Sequence, residues 1–216
     1  MLDIKDWIEN DFLKRIEEGK VTIYNEISLQ HELGIFLREK LKEVNSGYEV
    51  QFERNIGFFF KIDKDKTVKR EIDIVVFNGK EKYAIELKYP RNKQYPEQMY
   101  HFVEDIRFME QLKSEGFNGT YCLTLVDDKL FYTKSRCEKD IYKYFRESAD
   151  NPVKGEIKKP TGENTDNKSI TLDKEYNIDW KEWKEPGEYK TYEDYSPRKE
   201  CKECSNSNLR YYIVEI

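Results

Sequence analysis

The sequence predicts an α/β protein, helices packed on a sheet, and three observations carry that prediction. Two stretches place apolar residues at helical spacing, Asn25 to Lys42 and Pro96 to Glu115. Between them, Glu71 to Tyr89 reads as two short apolar strands joined through Asn78-Gly79, a strong hairpin turn signal. After the second helical stretch, Thr120 to Val126 is another strand-like run, so helices and strands interleave along the chain. At 216 residues the chain is long enough to bury a sizeable core in one domain with decorated ends.

The elements follow in order. Residues 1–24 predict an N-terminal helical extension whose apolar face is Trp7, Ile8, Phe12, Leu13 and Ile16, available for packing or for dimerisation. The next helix carries Leu29, Leu33, Phe36, Leu37 and Leu41 on one stripe. A strand containing VQFER precedes the hairpin. The helix beginning at Pro96, a residue suited to a first turn, buries Met99, Phe102, Val103, Ile106, Met109 and Leu112. These elements fill a core domain over 25–149. Asp150 to about Asn167 is polar and contains Pro and Gly without apolar periodicity, which predicts a poorly ordered loop. Beyond it Tyr176, Ile178 and Trp180 alternate like a short strand, Lys184 to Asn208 is turn-rich and charged, and Leu209 to Ile216 reads as a terminal strand. The aromatic content of this tail, residues 150–216, predicts that it packs back on the core, with its last strand at a sheet edge.

The hairpin carries the chemistry. Asp73 lies in one arm, Glu86 and Lys88 in the other, all inside runs that otherwise read as buried. Buried carboxylates are costly without a compensating cation. Alternation puts Ile72, Ile74 and Val76 on one face and Asp73 with Val75 on the other, while Tyr83, Ile85 and Leu87 alternate with Ala84, Glu86 and Lys88. If Asn78-Gly79 is the whole loop, Asp73 faces Ala84 and sits diagonal to Glu86 at roughly 7 to 8 Å. If the loop is Asn78 to Glu81, Asp73 lies directly opposite Glu86. A three-residue loop without a bulge would separate the two acids to opposite faces. Two converging carboxylates suit Mg2+, with Mn2+ as a substitute, because Mg2+ takes one or two protein carboxylates and keeps waters and phosphate oxygens as its other ligands. Lys88 emerges on the face of Glu86, where an ammonium can hold an attacking water or offset charge on a phosphorane. The structural alternative is a solvated sheet face with a cross-strand ion pair.

Asp73 followed thirteen residues later by Glu86-Leu87-Lys88 resembles the D…(D/E)xK signature of the PD-(D/E)XK nuclease superfamily. The order helix, strand, hairpin, helix, strand is similar to the αβββαβ core of that restriction-endonuclease-like fold, which implies a central mixed β-sheet flanked by helices. The chain departs from the family in having Glu71-Ile72 before Asp73 where a proline often stands. Glu32, on the flank of the first helix stripe, resembles the additional helix glutamate that many members direct at the metal. Gln94, Tyr95, Gln98 and Tyr100 match only loosely the glutamine and tyrosine of some branches and receive no role. The resemblance implies a Mg2+-dependent nuclease that hydrolyses phosphodiester bonds, most plausibly in DNA, in restriction, repair, recombination or defence against mobile elements. Asp73, Glu86 and Glu32 would hold metal, with Lys88 completing the catalytic set.

A net charge of −5 is not that of a dedicated DNA-binding surface, since phosphate affinity is mostly electrostatic. Binding must come from a local patch, and Lys88, Arg91, Lys93 and Arg107 are the nearest candidates in sequence, although such clusters often serve solubility. A double-strand break calls for two sites, which makes a homodimer one arrangement. No apolar stretch reaches membrane-span length and MLDIKDWIENDF lacks signal-peptide character, so the expected location is cytoplasmic. Cys122 falls in a core strand and Cys137 in a connection; Cys201 and Cys204 have metal-ligand spacing but half of a zinc site. Helix phase turns His31 about 100° from Glu32, toward the surface, and His101 lies beside the second stripe. Glu53 in VQFER reads as solvent-facing, or as an outer carboxylate. The competing functional class is a non-catalytic nucleic-acid-binding or protein-interaction scaffold, which has no evident need for the Asp, Glu and Lys trio.

Overall fold

The computed structural model describes residues 2–44, 47–61, 67–134, 141–146, 151–160, 168–183 and 209–216. Among them the backbone forms α1 (Ile4–Asp6), α2 (Leu13–Glu17), α3 (Glu26–Glu43), α4 (Tyr95–Ser114) and α5 (Tyr142–Arg146), with eight strands. The strands are β1 (Glu49–Asn55), β2 (Glu71–Phe77), β3 (Lys82–Lys88), β4 (Gly119–Val126), β5 (Val153–Lys158), β6 (Ser169–Tyr176), β7 (Lys181–Glu182) and β8 (Arg210–Glu215).

The main sheet is mixed and runs β1-β2-β3-β4-β8-β7. Strands β1, β2 and β3 pair antiparallel, and β4 joins β3 in parallel after the crossover through α4. The six strands lie between two apolar layers. On one side α3, α1 and α2 cover Ile74, Val76, Tyr83, Ile85, Leu87, Tyr121 and Leu123. On the other, α4 covers Val75, Ala84, Cys122, Val126, Tyr212 and Val214. This alternation is the period-two pattern of the strands made visible. Ile72 is the exception, joining Val75 rather than Ile74 and Val76, beside a left-handed Glu53 on β1.

Both long helices occur where their stripes predict them. Asn25 caps α3, its side chain accepting from Ser28 N at 2.8 Å while Ser28 Oγ accepts from Asn25 N at 3.0 Å. Gly34 lets α3 lie against β1, since a Cβ there would come within 2.1 Å of the Phe52 ring. Pro96 occupies the first turn of α4, and Met99, Phe102, Val103, Ile106, Met109 and Leu112 are all buried. At the N-terminus α1 and α2 are linked by a π-helical stretch, Trp7–Phe12, and Ile8, Phe12, Leu13 and Ile16 are buried with Trp7 packed against them.

The tail differs from expectation in three places. The stretch read as a loop from Asp150 contains β5, which pairs antiparallel with β6 as a separate two-stranded sheet. Its Val153 and Ile157 are buried, but a register irregularity between Val153 and Gly155 breaks the alternation that would reveal a strand. The hairpin docks on α4 through Glu110, whose carboxylate accepts from Asp173 N, Lys174 N and Tyr176 Oη at 2.9, 3.0 and 3.0 Å. Tyr176 ends β6, whereas Ile178 and Trp180 follow in irregular backbone, with Trp180 Nε1 donating to Phe145 O at 2.8 Å. The terminal strand does return to the sheet, but β7 lies outside it, so β8 is flanked on both sides. Cys137, Cys201, Cys204 and the segment 184–208 lie outside the described residues. No helix among the described residues is long and apolar enough to cross a membrane.

Candidate functional site

The register of the β2–β3 hairpin decides where the acids go. Phe77 pairs with Lys82, leaving Asn78 to Glu81 as the connection, and the Asn78 side chain closes it by accepting from Lys80 N and Glu81 N, each at 2.8 Å. Backbone pairing runs from there to Ile74 with Ile85. One step further the carboxylates take over. Asp73 Oδ2 accepts from Leu87 N at 2.7 Å and Glu86 Oε1 accepts from Asp73 N at 3.3 Å. Side-chain oxygens thus satisfy donors that a continuing ladder would have paired, and the two acids stand together on the α4 face.

Charge converges on this point from four other elements. Lys88 Nζ lies 3.5 Å from Glu26 Oε1, 3.6 Å from Asp105 Oδ2 and 3.0 Å from Leu87 O. Lys69, just ahead of β2, places its Nζ between Glu86 Oε2 and Asp105 Oδ1. Glu26, in the first turn of α3, also accepts from Tyr89 N at 3.0 Å. Gln30 Nε2 donates to Asp73 O at 2.9 Å and to Glu53 Oε1 at 2.5 Å. Glu53, exposed on β1 as its solvent-facing reading expects, holds φ +46, a left-handed conformation that costs a non-glycine residue of order 1 kcal/mol.

The electrostatics are those of a desolvated, acid-rich cluster. Burial pushes the Asp73 carboxyl up to about 6 against the pull of Lys88, the Leu87 hydrogen bond and Lys69. Burial, and then repulsion from Asp73, carry Glu86 well above the ordinary carboxylate range despite Lys69. Burial opposes the charge on Lys69 and Lys88, yet the surrounding acids, Asp105 foremost, outweigh it and raise both. Both ammoniums are therefore charged at neutral pH. Asp105 Oδ2 is buried with no hydrogen-bond partner.

Between the ordinary value of 3.8 and about 6, folded Asp73 retains a proton that the unfolded chain has lost. Its contribution to stability therefore falls as pH rises through that window. With divalent ions chelated, Asp73→Asn is expected to raise the melting temperature at pH 7.5 and to reduce the stability loss between about pH 4 and 6. A lower melting temperature of the variant at pH 7.5 refutes this assignment.

Neither family models, nor curated proteins, nor solved structures gave a match to this chain.

Of the residues selected from sequence, the fold brings Asp73, Glu86 and Lys88 together and leaves Glu32, Arg91, Lys93 and Arg107 elsewhere. Glu32 does not reach the site. Six residues on from Glu26, it is turned about 240° around the helix, and it lines a surface depression with Arg15, Lys20 and Glu39. Glu26 is the α3 glutamate that lies beside Lys88. Arg107 likewise sits about 200° around α4 from Asp105, where it binds Glu110 and Asp173 and holds the β5–β6 hairpin. Arg91 lies in the loop after β3, stacked on Tyr89 and paired with Asp127, and Lys93 is exposed in the same loop. His31 is exposed; His101 is half-exposed on α4, its Nδ1 2.5 Å from Glu104 Oε2.

Sequence reading missed Lys69, Asp105, Glu26 and Gln30. Asp105 had a signal, since it falls three residues after Phe102 and four before Met109, within the buried stripe. No group of three or more His, Cys, Asp or Glu among the described residues is arranged to enclose a metal, which argues against a closed structural site there. Mg2+ asks less of the protein, one or two carboxylates. Asp73 and Glu86 supply these side by side, and Asp105 Oδ2, 3.6 Å from Lys88 Nζ, accepts no hydrogen bond, so the donor set fits a hard divalent ion.

Proposed function

We propose that the chain is a Mg2+-dependent nuclease of the PD-(D/E)XK type, hydrolysing phosphodiester bonds in DNA. The observation that supports it most is the placement of Asp73, Glu86 and Lys88 on one face, at the point where β2–β3 pairing ends. The order α3, β1, β2, β3, α4, β4 in a mixed sheet is that of a restriction-endonuclease-like core, and it favours this reading over a chance ion-pair cluster. Asp73 and Glu86 would hold the metal. When bound, the metal supplies Lewis-acid polarisation of the phosphate and an acidified water. Lys88, charged and fixed by Glu26 and Asp105, would orient the attacking water or stabilise the phosphorane oxygens. Gln30 holds the Asp73 backbone in place, and the exposed Arg91 and Lys93 would contact the polynucleotide backbone.

The scaffold reading has one specific support, the pairing of Lys69 with both Glu86 and Asp105 as an internal ion-pair cluster. Incubation of pure protein with plasmid and with labelled DNA and RNA strands separates the two. Cutting of DNA with Mg2+ or Mn2+, lost with chelator and lost in Asp73→Ala, is the expected result. Equal residual cutting by wild type and variant overturns the proposal.

A further inference from the structure

Lys69 differs from every other member of the cluster in how it arrives. Asp73, Glu86 and Lys88 are fixed by strands and Asp105 by a helix, but residues 67–70 have neither helix nor strand geometry. The Lys69 side chain is 29% exposed, against 1% for Glu86 and 3% for Asp105, so it reaches inward from the surface on a flexible stem. Its ammonium bridges the two least accessible acids of the site. Among the described residues, four carboxylates, from Asp73, Glu86, Asp105 and Glu26, face two ammoniums, and Asp105 Oδ2 is buried without a hydrogen-bond partner, 3.6 Å from Lys88 Nζ.

We propose that Lys69 is an internal stand-in for the divalent ion, bridging Glu86 and Asp105 in the metal-free protein and swinging out to solvent when Mg2+ or Mn2+ enters. The inference rests on the reading of Asp73 and Glu86 as metal-binding carboxylates, and adds a gate to that site. Three points favour the exchange. A divalent ion cancels one more unit of negative charge than the ammonium it replaces. An ammonium offers three donors, whereas a hard divalent ion binds carboxylate oxygens directly and fills its remaining positions with water or phosphate oxygens. The released lysine regains hydration and rotamer freedom, whereas Lys88, held on β3, has no such exit. Metal affinity is therefore set against a tethered competitor, which keeps the buried acids compensated at low metal concentration.

The test compares Mn2+ binding, by calorimetry and by the Mn2+ electron paramagnetic resonance signal, in wild type, Lys69→Met and Lys69→Arg. Removal of the competing charge is expected to tighten Mn2+ binding by about tenfold or more in Lys69→Met, and Lys69→Arg is expected to stay near wild type. In the wild-type protein, Mn2+ is expected to increase labelling of Lys69 by an amine-reactive reagent, read by mass spectrometry. If Lys69→Met is unfolded in chelator, recovery of its far-ultraviolet circular dichroism on addition of Mn2+ supports the exchange, and no recovery overturns it. Equal or weaker binding by Lys69→Met, or unchanged labelling of wild type, overturns it as well. DNA cutting by wild type in that case leaves the nuclease reading intact. Tighter binding by Lys69→Met with no cutting by any form keeps the exchange and removes the hydrolytic reading.

Discussion

Lys88→Ala is expected to slow phosphodiester hydrolysis by roughly 100- to 1000-fold while leaving Mn2+ binding in place, the loss typical of removing one preorganised donor from a developing oxyanion. Lys88 lies on the same strand face as Glu86, two residues on, and its ammonium is charged in a desolvated setting where such a donor acts strongly. It is also held at a fixed position by Glu26 and Asp105, so its role requires no reorganisation during the reaction. The metal carboxylates of Asp73 and Glu86 are untouched by the change. A split between lost turnover and retained Mn2+ binding separates Lys88 from those acids. If cutting and Mn2+ binding fall together with folding retained, Lys88 is a structural counter-ion rather than a catalytic group. Circular dichroism establishes the folding, which matters because Asp105 loses one of its two neighbouring cations.

Phe102→Ala is expected to give a large stability loss, about 3 to 5 kcal/mol, or a fall in melting temperature of roughly 6 to 20 °C. The Phe102 ring is buried at the meeting point of α4, the 3-10 turn Lys129–Phe131, α5 and β8, within 5.9 Å of Phe131, 5.6 Å of Phe145 and 6.3 Å of Tyr212 between centroids. Truncation there removes ring contacts from α4 to three other elements at once and leaves a cavity that none of them alone can fill. Phe58→Ala, at a ring 56% exposed, is the matched control and is expected to cost far less. A cost for Phe102→Ala near that of the control, by denaturant titration, would show that the aromatic cluster collapses around the gap.

The parts of this fold governed by burial were legible in the sequence. Leu29 to Leu41 and Met99 to Leu112 become buried stripes because each helix has one face to hide, and the hairpin arms alternate because each has two. The acid pair was legible for the same reason, since Asp73 and Glu86 interrupt apolar strands. What eluded the sequence depends on geometry between elements. Glu26 sits at a helix N-terminus, where an acid is ordinarily explained by the helix dipole, and only the docking of α3 beside β3 brings it to Lys88 and Tyr89. Glu32 had the more suggestive position beside the stripe, and helix rotation sent it the other way. Lys69 gives no local signal at all, because its partners lie 17 and 36 residues away. Strand β5 was hidden by its register irregularity, and its partner β6 is held to α4 by the carboxylate of Glu110.

The pairing of β8 with β4 has a consequence for synthesis. Strand β4 is buried along its whole length and accepts β8 from Tyr121 to Val126, yet some eighty residues separate the two in the chain. A ribosome therefore exposes an apolar, half-zipped ribbon for several seconds before residues 210–215 emerge to close it. During that interval the nascent molecule is vulnerable to edge-to-edge sticking, and its yield in cells should depend on how well chaperones shield that one strand.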